Sequence, residues 1–202
     1  MAELAHIMTD LETTGTVPGC AGLSIGAVRF YPETGKLGDE FYTVIDLESS
    51  LSAFLRQEEG TMKWWEGRGE DARRVLHEAR SGDAPKLRDA LSSFTAWMRG
   101  QGGFRSLRLY GNGADFDNPI LRVMYDAAGL DFLGSTAGFF GGRCYRTLKS
   151  LDELFGPVFA APKMSRQGTY HHALDDAKSQ ATHLMDVVRS IRAFNNTMDD
   201  GK

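Results

Sequence analysis

The feature that most constrains this chain is a change of hydrophobic period at Ser50. Before it, three short runs alternate around apolar positions: Ala5 to Leu11, Leu23 to Phe30 and Glu40 to Asp46. Gly- and Pro-bearing connections, Thr16 to Gly22 and Pro32 to Lys36, separate them, so the runs read as three antiparallel strands in a meander. After Ser50 the spacing turns helical. Leu51, Phe54 and Leu55 make one short face, and Met62, Trp64 and Trp65 make another. Two longer helices follow, Glu70 to Arg80 and Ala84 to Arg99. In the second, Leu87, Ala90, Leu91, Phe94 and Met98 fall on one stripe.

Strand–helix alternation then begins. Leu107 to Gly113 reads as a strand ending in a Gly-rich turn, with a helix over Asn118 to Ala128. A further helix is expected over Arg146 to Gly156, a loop over Pro157 to Thr169, and a long helix from about Ala173 to Phe194. A meander followed by such alternation predicts an α/β fold with one mixed sheet flanked by helices. At 202 residues and 42% hydrophobic the chain suits a single domain, placed at 1–195, with a short polar tail at 196–202.

The net charge of −4 argues against a nucleic-acid coat protein. The charge is segmented, with an acidic excess up to residue 62 and a basic one over 63–108. The N-terminus has no basic region followed by an apolar run, and no stretch approaches eighteen apolar residues, so neither a signal peptide nor a membrane span is expected. The two cysteines, Cys20 and Cys144, fit reduced thiols in a cytoplasmic protein.

Three acidic motifs stand at element ends. In Asp10 to Gly15 (DLETTG), residues two apart on a strand point to one side, so Asp10 and Glu12 aim their carboxylates together. Two adjacent carboxylates stay ionised only beside a cation. In Gly111 to Leu121 (GNGADFDNPIL), Asp115 and Asp117 stand before a helix, where acids also serve as caps. In His171 to Ala181 (HHALDDAKSQA), Asp175 and Asp176 sit in the first turn of the last helix. Ala173, Ala177, Ala181 and Leu184 mark its apolar face, and Asp176 borders that face. His171 can meet Asp176 only from a preceding loop, where a histidine suits a general base.

Taken in order, DLETTG, GNGADFD and H-x-A-L-x-D resemble the three motifs of the DEDDh-type 3′-5′ exonucleases of the ribonuclease H-like superfamily. The segments PGCAGLSIGAVRF, TMKWW and RCYRTL make the phage-type, exodeoxyribonuclease VIII-like branch the nearest in appearance. The resemblance covers residues 5 to 190 and implies a ribonuclease H-like fold. It implies that Asp10, Glu12, Asp117 and Asp176 hold two divalent cations, Mg²⁺ or Mn²⁺, and that His171 is the general base. Asp115, Asp175 and His172 are the neighbouring alternatives. The implied reaction releases nucleoside 5′-monophosphates from the 3′ end of single-stranded DNA or RNA, or of an overhang. An exoribonuclease preferring RNA and a non-catalytic nucleic-acid-binding module are the rival readings. A homodimer is compatible with the resemblance.

Thr13 and Thr14 are expected against the terminal sugar, and Trp64, Trp65, Tyr110 and Phe116 are the candidates to stack on a terminal base. Core packing is the alternative role for at least one of Trp64 and Trp65. Arg143, Arg146, Lys163 and Arg166 flank the last motif as candidate phosphate contacts. Gly22 to Gly26 matches a G-x-S-x-G nucleophile elbow, but Ser24 lies inside a strand run rather than at a strand-to-helix turn. The Gly111 to Gly113 turn lacks the following Lys-Ser/Thr of a phosphate-binding P-loop.

Overall fold

The polar–apolar alternation of the N-terminal segment produces β1 (Ala5–Thr13), β2 (Gly22–Tyr31) and β3 (Lys36–Val44), paired antiparallel in sequence order. In this computed structural model the described residues are 4–103, 105–132, 141–151, 153 and 162–199. Two parallel strands, β4 (Leu107–Gly111) and β5 (Gly142–Cys144), extend the sheet on the far side of β1. The strand order is β3-β2-β1-β4-β5, the mixed sheet expected. β5 was not foreseen, because three residues are too few to show a period.

The helices are α1 (Leu47–Ser52), α2 (Glu59–Glu66), α3 (Glu70–Arg80), α4 (Leu87–Gln101), α5 (Asp117–Ala127), α6 (Tyr145–Lys149) and α7 (Ala173–Asp199). α3 has the bounds its pattern predicts. α4 starts later than expected, beyond Pro85, which a helix interior excludes. β3 stops short of Asp46 because that side chain caps α1, accepting a hydrogen bond from Ser49 N at 2.8 Å. Phe54 departs from its expected helical face. α1 has ended before it, its φ is 66°, and it is 93% exposed. α6 ends at Lys149, and the rest of the helix expected to Gly156, with the loop from Pro157, lies partly outside the described residues. α7 runs on past Phe194 to Asp199, into the segment read as a tail.

The sheet has a helical layer on each face. On one, Ile7, Leu11, Leu23 and Ile25 meet Leu91, Phe94, Met98, Leu121 and Met124 from α4 and α5. On the other, Met8, Val28 and Phe30 meet Ala177, Ala181, Leu184 and Met185 of α7. No helix among the described residues is long and apolar enough to cross a membrane.

One contact fixes where the last motif lands. Gly26 pairs with Asp10 across the β1–β2 ladder. The start of α7 lies directly on it, so close that a Cβ there would collide with the Ala173 carbonyl carbon and the Leu174 amide. Glycine at 26, with the small Ala173 and Ala177 above, lets α7 begin at the level of Asp10.

Gly26→Val is therefore expected to destabilise the protein by roughly 2–3 kcal/mol, lowering its melting temperature by about 5–10 °C. Gly100→Ala, inside α4 where an added Cβ meets nothing within 4 Å, is the control expected to keep or slightly exceed the wild-type value. Calorimetry of the two variants checks this, and equal melting temperatures contradict it.

Candidate active site

The end of β1 carries Asp10 and Glu12, with a register irregularity between Glu12 and Thr13. Parallel pairing of Met8 with Tyr110 brings the end of β4 and the turn after it alongside Asp10 and Leu11. There Asp117 is fully buried, and its two oxygens accept hydrogen bonds from Leu11 N at 3.1 Å and Asn112 N at 2.6 Å. From the opposite face α7 supplies Asp176 and Gln180. Gln180 Nε2 donates to Asp10 Oδ1 at 2.7 Å. Candidate ligand atoms of Glu12, His171 and Asp176 all lie within 4.8 Å of one another. The four acids expected from three distant segments thus gather at one strand end. Asp117 sits one layer back, its carboxylate committed to backbone amides. Of the alternatives, Asp175 turns away to accept from Thr169 N at 2.8 Å, and Asp115 is exposed.

This crowding shows in the proton affinities. Burial, then the charges of Asp117, Glu12 and Asp176, hold the Asp10 carboxyl well above the usual carboxylate range. Burial, then Asp176 and Asp117, pushes Glu12 up to about 8. Burial raises Asp117 to about 6, opposed by the hydrogen bonds from Asn112 and Leu11. Asp176 is raised by burial and opposed chiefly by Arg166, whose guanidinium lies 2.6 Å from its Oδ1.

His171 approaches from the loop before α7, as its spacing from Asp176 requires. Its φ of 61° is a left-handed conformation that turns the ring back toward the acids. Aromatic neighbours hold it there, with ring centroids of Tyr170 at 3.9 Å and Trp64 at 4.9 Å. Burial lowers its pKa, so the neutral form persists to lower pH. His172 points elsewhere and stacks on Tyr42 at 4.4 Å.

Asp10, Glu12, His171, Asp176 and Gln180 line a cavity of about 520 Å³ together with Thr13, Trp64, Trp65 and Phe116. Trp64 is 39% exposed at its wall. Trp65 is the packed tryptophan, buried and donating from Nε1 to Thr13 O at 2.9 Å. Tyr110 also departs from the expected base-stacking place, being buried against Phe30 with its hydroxyl 2.9 Å from His6 Nδ1. Thr14 departs from its expected place. The irregularity after Glu12 breaks the strand alternation, so Thr13 stays in the lining and Thr14 turns inward. The Thr14 hydroxyl donates to Ala21 O and Arg56 O, both at 3.0 Å, and the residue is fully buried. Of the flanking cations, Arg166 lines the cavity. Arg146 donates to Asn112 O at 2.7 Å. Ser24 of the elbow-like motif is buried within β2. No sequence motif singles out Gln180, although its position four residues after Asp176 places both on one face of a helix.

Buried, mutually repelling carboxylates with oxygen donors suit hard divalent cations. No curated protein sequence shows a significant match. The family profile for the Rv2179c-like 3′-5′ exoribonuclease domain matches residues 5–188. Among solved structures, the nuclease domain of 3′hExo, a DEDDh family member bound to rAMP, is 15% identical with a TM-score of 0.60, covering 95% of this chain and 94% of that one. A full-length 3′-exonuclease is 15% identical with a TM-score of 0.61, covering 96% and 84%. E. coli exonuclease I in complex with a dT13 oligonucleotide is 13% identical with a TM-score of 0.62. Here the match covers 96% of this chain but only 43% of that one. These likenesses show a ribonuclease H-like fold.

The raised carboxyls predict a pH effect of definite sign. A group whose pKa is higher folded than unfolded favours the folded state while protonated, and that contribution is lost as pH rises through the folded value. Metal-stripped protein is therefore expected to lose melting temperature from the ordinary carboxylate values of 3.8 and 4.5 upward, the Asp117 share being complete near pH 6 and the Glu12 share near 8. Glu12→Gln removes the upper part of the fall, read by calorimetry in a chelating buffer. A wild-type melting temperature that rises across this window contradicts the assignment.

Proposed function

The chain belongs to the Rv2179c-like 3′-5′ exoribonuclease domain family, and from that premise we propose that it removes nucleoside 5′-monophosphates from the 3′ end of a single-stranded RNA or overhang. It is a 3′-5′ exonuclease, a phosphodiester hydrolase of nucleic acid. The observation that carries the reading is the convergence of Asp10, Glu12, Asp117 and Asp176, drawn from three segments, with His171 beside them.

Asp10, Glu12 and Asp176 would hold the divalent cations, Mg²⁺ or Mn²⁺, directly, and Asp117 through water. When bound, such cations stabilise the charge that develops on the phosphoryl oxygens and activate the attacking water. His171, kept neutral by burial, accepts the proton of that water through its ring nitrogen. Gln180 holds one oxygen of Asp10, which orients the other. Trp64 and Phe116 offer ring faces to the terminal base, and Thr13 lines the wall beside them.

Placement near the phage-type branch rests on the segments quoted from the sequence. A single exonuclease domain over 1–195 agrees with the extent of the family match. The free Cys20 and Cys144 suit a cytoplasmic location. A homodimer belongs to the same proposal, and sedimentation of the purified chain tests it.

With Mg²⁺ or Mn²⁺, the protein is expected to shorten a 5′-labelled RNA strand into a ladder, faster than matched single-stranded DNA or a blunt duplex. Asp10→Ala is expected to lower the rate by at least about 10³-fold while keeping the fold. Trp64→Ala is expected to weaken substrate binding by about 1–3 kcal/mol, read as KM. An intact strand after incubation with metal-loaded wild-type protein overturns the reading in favour of a binding module.

A further inference from the structure

Arg166 is the one permanently cationic side chain among the described residues that line the cavity, a lining it shares with Asp10, Glu12 and Asp176. Its Nη1 donates to Asp176 Oδ1 at 2.6 Å. Its guanidinium lies over the ring of Tyr170, 4.1 Å from the centroid. Tyr170 is 54% exposed, and its ring packs in turn on His171. The Arg166 side chain is 44% exposed, whereas that of Asp176 is 12% exposed. The acid is thus the enclosed partner, and the arginine is the one with open space beside it.

Two demands meet at this pair. A divalent cation held through Asp176 Oδ1 competes with the guanidinium that now occupies that oxygen, and the two positive charges repel each other at such a distance. The phosphate of a nucleic acid is itself an anion brought into an acidic cavity, so it needs a cation from the protein at the rim. Arg146 is turned to the Asn112 carbonyl and is absent from this lining. Arg166 has a planar fork suited to phosphate, and its aromatic shelf lies beside the general base.

We propose that Arg166 is a metal-gated phosphate ligand: it neutralises Asp176 until a cation takes that carboxylate, and the released guanidinium then binds the phosphate of the 3′-terminal nucleotide. The proposal rests on the reading of the carboxylate cluster as a metal site. It makes metal and nucleotide binding mutually reinforcing, because the first frees the group that the second uses.

The test measures two affinities that move in opposite directions. Mn²⁺ alone is titrated calorimetrically into wild type, Arg166→Gln and Arg166→Lys. Adenosine 5′-monophosphate is then titrated into each at saturating Mn²⁺. Arg166→Gln is expected to bind Mn²⁺ about fivefold more tightly, since a competing, partly exposed ion pair is gone. The same variant is expected to bind the nucleotide about tenfold more weakly. Arg166→Lys, which keeps the charge without the fork, is expected to lie between on both scales and shows that the site is still folded. A purely structural role for Arg166 would weaken both affinities, and that result overturns the proposal. So does unchanged Mn²⁺ or nucleotide affinity in Arg166→Gln, which leaves the metal site standing. Failure of the wild type itself to bind Mn²⁺ removes the metal site and the proposal together.

Discussion

Four carboxylates held close together in a largely buried place repel one another, and the architecture around them opposes that repulsion. Asp117 is clamped by two backbone amides, Asp10 by the Gln180 amide, and Asp176 by the Arg166 guanidinium. None of these partners cancels the strain fully, since all four carboxyl groups bind their protons more tightly than in water. A site of this kind stores electrostatic cost that a divalent cation relieves, so metal affinity and the instability of the empty cluster share one origin.

The scaffold makes that concentration reachable from three distant segments. β1 lies in the middle of the sheet, antiparallel to β2 and parallel to β4, so its end is flanked by a turn on one side and by Gly26 on the other. The missing side chain at Gly26 lets α7 descend onto the sheet at that level. Above this floor the groups proposed to meet substrate, Trp64 and Arg166, are more exposed.

Much of this was legible in the chain because it follows local rules. Strand alternation set Asp10 and Glu12 on one side, and the apolar face through Ala173, Ala177 and Ala181 chose Asp176 over Asp175. A five-residue separation put His171 on a loop. What escaped depends on breaks in those rules or on long-range contacts. The irregularity after Glu12 turned Thr14 inward, where two carbonyls accept its hydroxyl hydrogen. α1 ends at Ser52, two residues short of Phe54. The pairing of Gln180 with Asp10 joins residues at opposite ends of the chain, and no period encodes it.

Anomalous scattering from crystals of the protein soaked in Mn²⁺ tests the central claim most directly. Two peaks in contact with Asp10, one also touching Glu12 and Asp176, are the predicted result. Peaks elsewhere on the molecule, with the four carboxylates left bare, would contradict it.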